Sequence, residues 1–176
     1  IIQGGAGSVH KSPLVTKRIR KKLSRILHLA YQKLLKSNAL EAAVYAVKLM
    51  EDDPYFNAGT GSQLQSDGRA RLSASVMDGS KERFAAVINL ERIKNPVLVA
   101  RALLEKRDRV LSDQGAFQFA KSIGTKACDT RTKESIRRWK KWLVGAGFKP
   151  APTYDTVGAC ALDQYGNLAA ATSTGG

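Results

Sequence analysis

At 176 residues, with 43% hydrophobic and 25% charged side chains, the chain is long enough to bury one real core and suits a single domain. Its 29 Lys and Arg against 15 Asp and Glu give a formal charge of +14, a balance that draws phosphates and other polyanions by counterion release. A run of about eighteen apolar residues is needed for a spanning helix and none occurs; no charged-then-apolar leader is found either, so the cytoplasm is the expected compartment.

In chain order the pattern alternates strand and helix. Ile1-Ile2 reads as the end of a first strand, broken by Gly4, Gly5 and Gly7. Ile19, Leu23, Ile26, Leu27, Ala30, Tyr31, Leu34 and Leu35 recur at helical spacing, with the basic cluster from Lys17 to Lys22 on the wet face. Asn38 is the expected N-cap of a second helix, which carries Leu40, Ala43, Val44, Val47 and Met50 on one face and ends near Pro54. From Arg69 to Met77 the chain alternates, with Ala70, Leu72, Ala74 and Val76 on one side, as in a half-buried strand. Phe84 to Leu90 is nearly all apolar and reads as a strand covered on both faces. Asn95-Pro96 opens another helix, since the missing N–H of proline costs little in a first turn. A further helix holds Phe117, Ala120 and Ile123.

From Arg131 to Lys141 basic residues alternate with Ile136, Trp139, and beyond them Trp142 and Leu143, a pattern that fits a basic amphipathic helix for a membrane surface, an acidic partner or RNA. Charge runs are more often solvated faces or tails, so nucleic-acid and membrane binding are not expected. Thr156 and the small apolar residues after it read as a strand, Asp163 to Asn167 as its turn, and Leu168 to Thr172 as the returning strand. Thr156 and Thr174 could then face one pocket. Helices flanking sheets give a layered α/β fold. Cys128 and Cys160 form neither a disulfide framework nor a CxxC or Cys/His cluster and are expected as reduced thiols. His10 and His28 are too few and scattered for a metal site or a Ser/His/Asp triad, and His28 falls on the first helix surface.

The junction Asp155-Thr156-Val157-Gly158 resembles that of the plant-type asparaginases and isoaspartyl peptidases, N-terminal-nucleophile hydrolases made as an inactive chain and cut before a threonine. Gln3 to Gly7, Pro54 to Ser62, Val76 to Gly79 and Lys94 to Val97 match other motifs of that family in the same order, leaving about 126–153 unmatched. Several motifs in order are far more specific than any one. The resemblance implies a four-layer αββα sandwich forming one structural domain, here incomplete at its C-terminal side. Residues 1–155 would be the α-subunit region, with 131–154 a variable basic linker, and 156–176 the start of the β-subunit region. It also implies a homodimer of αβ units.

By the same resemblance Thr156 is the nucleophile and Asp155-Thr156 the scissile bond. A hydroxyl is a poor nucleophile at neutral pH, but a terminal α-amine with a pKa of about 8 can take its proton, so activity would wait for cleavage. Asn57, Gly4 and Gly5 match positions that support autocleavage, with Gln3 standing where the family usually has histidine. Thr174 matches the second active-site threonine and, with Gly176, the substrate-binding segment. Thr172 is a weaker candidate, because strand threonines are mostly there for their β-propensity. The stretch around Met50, Glu51, Asp53, Phe56, Ala58 and Thr60 resembles a loop whose main-chain carbonyls wrap a structural sodium ion. Its carboxylates lack the spacing of a calcium loop. No metal or organic cofactor takes part in the implied chemistry, whose substrates are L-asparagine and β-aspartyl dipeptides.

Relatives continue after Thr-Gly-Gly with an Arg-Val-Gly-Asp segment that holds the substrate's charged ends and a Thr-Gly-Thr-Gly segment that forms the oxyanion hole. Neither is present, so an incomplete enzyme is expected, one oxyanion donor alone being worth about 3–4 kcal/mol. Two other readings remain open. One is a taspase-like endopeptidase cutting after aspartate, which Asp155 suits. The other is a truncated, catalytically silent protein that binds nucleic acid or acidic partners through its basic helices.

Overall fold

The computed structural model describes residues 1–5, 13–145 and 156–176. Its frame is a six-stranded sheet of β1 (Ile2–Gln3), β2 (Leu72–Asp78), β3 (Arg83–Leu90), β4 (Val110–Ser112), β5 (Val157–Leu162) and β6 (Leu168–Gly175), in the order β1-β5-β6-β2-β3-β4. Neighbours run antiparallel except β3 and β4, which are parallel and joined through a helical crossover. The helices are α1 (Pro13–Leu34), α2 (Ala39–Glu51), α3 (Pro96–Leu103), α4 (Asp113–Ser122) and α5 (Lys133–Gly145), with a 3₁₀ turn at Gly59–Gly61. The α/β class expected from the alternating pattern is the one observed.

Helix α2 is the core of the packing. Asn38 caps it as its sequence demands: Oδ1 accepts the Glu41 N–H at 3.0 Å, a bond worth about 1 kcal/mol. Small residues at Ala43 and Ala46 let the helix come down onto β5 and β6, and Val47 and Met50 are fully buried. Helix α3 starts with Pro96 in its first turn and packs on β2 and β3. On the sheet side facing these helices lie Leu72, Ala74, Val76, Ala85, Val87, Val157, Ala159 and Ala171, all buried. The alternation read in β2 therefore has the right phase, although the strand begins at Leu72 and not at Arg69.

The opposite side of the sheet is open. Strand β3 was expected to be covered on both faces, yet Phe84 is 47% and Ile88 43% exposed, because nothing among the described residues lies over them. Met77, Leu162 and Leu168 are exposed as well. Helix α1 departs similarly. It packs on α2 through Ile26 and Ala30, but Tyr31 and Leu35 remain 57% and 67% exposed, an apolar arc wider than one neighbouring helix can cover. Ala116 and Ala120 anchor α4, and Ile123, expected inside that helix, is its exposed C-cap. Residues 133–145 of the stretch read as a basic linker form α5, whose start is fixed by a reciprocal pair: Thr132 Oγ1 accepts the Ser135 N–H and Ser135 Oγ accepts the Thr132 N–H, both at 2.9 Å. Trp139 then docks the helix. Its indole N–H donates to the Ser66 carbonyl at 3.1 Å, and its ring lies where a Cβ on Gly68 would meet it at 2.9 Å. Gly68 also has φ +78°, so Gly68→Ala should both strain the turn and unseat Trp139; a red-shifted tryptophan emission is the expected result.

The β5–β6 turn is tied to α2 by one carboxylate. Asp163, 7% exposed, accepts from the N–H groups of Tyr165 and Asn167 at 3.0 Å and of Ala39 at 3.3 Å. Burial pushes this carboxyl up, but the Asn167 and Ala39 donors together with Tyr165 outweigh it and hold it below its ordinary 3.8. A depressed carboxyl contributes stability that is full above the unfolded pKa and lost as pH falls through the folded one. Asp163→Asn should therefore melt below the parent at pH 7, with the gap closing as the pH drops under 3.8, measured by circular dichroism.

Candidate active site

Strand register assembles the candidate site. Val157 pairs with Ser173 and Gly158 with Thr172; the ladder ends there, and continuing its register by one residue would bring Thr156 opposite Thr174. On the other flank Gln3 pairs with Gly158, a register that, continued, would bring Gly4 and Gly5 alongside Val157 and Thr156. Because successive residues point to opposite faces, Val157 and Ser173 are buried under the helices. Thr156 and Thr174, both half-buried, belong to the open face. Thr174 has Ser73 as its partner on β2, and Ser73 Oγ accepts the Asn89 N–H at 3.2 Å. Thr172 lies two residues away with its hydroxyl bonded to Ser75 at 2.8 Å, a cross-strand pair that stabilises the sheet.

The glycines are close-approach positions. A Cβ on Gly4 would come within 2.8 Å of the Phe56 ring and 3.1 Å of a Leu23 methyl, and Gly5 has φ +96°. The end of β6 is equally tight: a Cβ on Gly175 would collide with Ser62 at 2.1 Å, while the Gly176 N–H donates to the Arg71 carbonyl at 3.2 Å. Asn57 is buried, and its side-chain oxygen accepts the Gln63 N–H at 2.9 Å, fixing the loop that abuts this strand end. The expected site residues Thr156, Thr174, Gly4, Gly5 and Gly176 thus meet around one end of β5 and β6, with Asn57 in the supporting loop. Asp155 lies outside the described residues.

The loop after α2 offers oxygens from its main chain. Carbonyls of Met50, Asp53 and Ala58 each accept one N–H, from Asp53, Phe56 and Gly61. The Glu51 carbonyl would sit 2.4 Å from a Cβ on Gly59, and the Phe56 carbonyl 1.9 Å from one on Gly61, so the loop keeps a cradle that only glycine permits. Its carboxylates are already matched by ammonium groups, Asp52 by Lys48 at 2.6 Å and Lys94 at 2.9 Å, Asp53 by Lys22 at 2.5 Å. The remaining donors are neutral carbonyls, which fits a hard monovalent cation. Among the described residues no group of three His, Cys, Asp or Glu could hold a metal ion.

Glu51 has a role that sequence reasoning missed. Its side chain is fully buried: Oε1 accepts the Val97 N–H at 3.0 Å and Oε2 the Asn95 amide at 3.1 Å. Helix α3 has no cap from Asn95 itself, so Glu51 supplies the acceptor that its first turn lacks. Burial pushes this carboxyl up to about 8, against the lowering effect of Ser173, Val97 and Asn95. The Ser173 hydroxyl is buried beside it and is among the groups that lower this carboxyl. The signal that could have found this role was the uncapped Asn95-Pro96 start.

The sequence profile of the family described as Asparaginase matches residues 1–176. The chain is 40% identical to an isoaspartyl peptidase/L-asparaginase of Nostoc sp., over all of this chain and 60% of that protein. It is 37% identical to a plant-type L-asparaginase of Pyrococcus furiosus, over all of this chain and 62% of that one. An N(4)-(beta-N-acetylglucosaminyl)-L-asparaginase of Elizabethkingia miricola matches 78% of this chain at 42% identity. The chain spans about 60% of the length of the Nostoc and Pyrococcus proteins and 42% of that of the Elizabethkingia one. No helix among the described residues is long and apolar enough to cross a membrane. With a family profile covering every residue, the chain belongs to the plant-type asparaginase and isoaspartyl peptidase family.

Proposed function

We propose that the full-length protein is a threonine amidohydrolase that cuts its own chain between Asp155 and Thr156 and then hydrolyses L-asparagine and β-aspartyl dipeptides. The observation that supports this reading is the ladder register, Val157 with Ser173 and Gln3 with Gly158, whose continuation would set Thr156 between Thr174 and the Gly4-Gly5 segment. In the precursor the Thr156 hydroxyl attacks the Asp155 carbonyl, the peptide nitrogen leaves, and the acyl group passes to oxygen as an ester. Water hydrolyses that ester, leaving a carboxylate on Asp155 and a free amine on Thr156. The amine, partly neutral at pH 7, then serves as base for its own hydroxyl. Attack on a substrate's side-chain amide gives a β-aspartyl ester on Thr156 and releases ammonia or an amino acid; a second water frees aspartate. Thr174, next across the ladder, orients the nucleophile, and the Gly4-Gly5 turn lets the junction bend.

The open sheet face bears both threonines and the exposed Met77, Phe84, Ile88, Leu162 and Leu168. A second sheet laid on it would complete a four-layer αββα sandwich and enclose the site, and αβ units would pair as a homodimer. Intact-mass measurement of the freshly purified and aged full-length protein, followed by ammonia release from L-asparagine, tests the reading. Two fragments meeting at Thr156 support it, and one uncut mass with no hydrolysis removes it.

The carbonyls of Met50, Glu51, Asp53, Phe56, Ala58 and Thr60 are proposed to hold a structural sodium ion, which the Gly59 and Gly61 cradle supports. The melting temperature should then be higher in sodium chloride than in choline chloride of equal ionic strength. Equal values would dismiss the ion.

A further inference from the structure

Where the ends of β2 and β3 meet the start of α4 there is a cavity of about 370 Å³, walled in part by Arg71, Asn89, Arg92, Asp113, Gln114 and Phe117. Much of its charge is matched internally. Arg71 is held by Asp67 at 2.7 Å and Glu91 at 3.2 Å, and Arg69 reaches Glu91 at 3.5 Å. Two opposite charges are not matched. Among the described residues the Arg92 guanidinium meets no carboxylate and lies 5.9 Å above the Phe117 ring centre. Asp113 makes no side-chain hydrogen bond or ion pair there, although its charge is near enough to act on Arg71.

The backbone around this cavity is unusual. Asn89, Arg92 and Asp113 have φ of +55°, +62° and +47°, three of the four described non-glycine residues in the left-handed region. Such conformations persist only where the surroundings over-determine them, and they gather at ligand clamps. Here they set an unmatched cation, an unmatched anion and the Asn89 and Gln114 amides around a single space.

That combination discriminates among ligands. Phosphate or sulfate would face the carboxylates of Asp113 and Glu91, and a metal cation would face three guanidinium groups. A molecule with a carboxylate and an ammonium on one carbon satisfies both unmatched charges, and a short polar side chain on it would meet the two amides. We propose that this cavity binds a free α-amino acid as its zwitterion, the carboxylate on Arg92 and the ammonium on Asp113. The cavity is linked to the Thr174 strand through the bond from the Asn89 N–H to Ser73, the cross-strand partner of Thr174. The assignment does not depend on Thr156 acting as a nucleophile.

The test is a titration of L-aspartate into the Thr156→Ala full-length protein at low salt, read by calorimetry and by two-dimensional amide spectra. Saturable binding is expected, with shifted signals around Asn89–Arg92 and Asp113–Phe117. Affinity should fall about tenfold for succinate, which lacks the amine, and about tenfold in Arg92→Gln and in Asp113→Asn. Absence of saturable binding, shifts centred on Thr174, or succinate binding as tightly as aspartate would overturn the proposal. Should either substituted protein fail to fold, the shift map of the parent decides alone.

Discussion

In the full-length protein Thr156→Val is expected to leave the fold intact and to abolish both the proposed chain break and the proposed hydrolysis. Valine keeps the shape and β-branching of threonine at the strand entry and removes only the hydroxyl, so circular dichroism should not change. Without that oxygen no ester can form, and loss of a nucleophile costs on the order of 10⁶ in a hydrolase whose other groups stay in place. Thr156→Ser keeps an oxygen on a freer χ1 and should cut slowly, without matching the parent. Intact mass reports the first step and ammonia release the second. Continued cleavage before residue 156 in the valine protein would remove Thr156 from the mechanism, whatever the activity.

Removing the Glu51 side chain should be among the most damaging changes outside the site. Alanine would strand the buried Val97 N–H at about 1–3 kcal/mol, take from the Asn95 amide one of its two acceptors, the other being Asp52 Oδ1 at 3.1 Å, and leave an empty space under α3. Against a usual total of about 5–15 kcal/mol that is a large loss. Glutamine retains an acceptor for Val97 and the volume, and since burial already keeps the carboxyl uncharged below about 8, the neutral amide is the milder replacement. Urea unfolding should rank the parent above Glu51→Gln and both well above Glu51→Ala. If alanine and glutamine cost the same, the bond to the first turn of α3 is not what matters.

Local chemistry was readable in the sequence and distant chemistry was not. The Asn38 cap, the Pro96 start of α3 and the hairpin turning at Asp163 to Asn167 each follow from neighbours within a few residues, and each appears in the structure, the hairpin read from Thr156 to Thr172 running from Val157 to Gly175. The pairing of Val157 with Ser173, from which the expected Thr156 and Thr174 juxtaposition is extended, could be inferred for the same reason, because a tight turn fixes the register on both sides. Strand β4 was missed: it has three residues behind the basic stretch Arg107–Arg109 and pairs in parallel after a crossover, so its own sequence carries almost no periodicity. The exposure of Phe84 and Ile88 depends on what covers the sheet, which a run of apolar letters cannot say. Glu51 and Trp139 likewise find their partners at Val97 and Ser66, 46 and 73 residues away.

The strand order has a consequence for a chain divided before Thr156. Strands β5 and β6 come last in sequence, yet they are threaded between β1 and β2, which come from the first part. Each of the two pieces would thus be stitched to the other along two separate hydrogen-bonded seams, with α2 lying across β5 and β6 as a third hold. Cutting the peptide bond would sever the connectivity without freeing either piece, and the new amino end would remain clasped between its original neighbours.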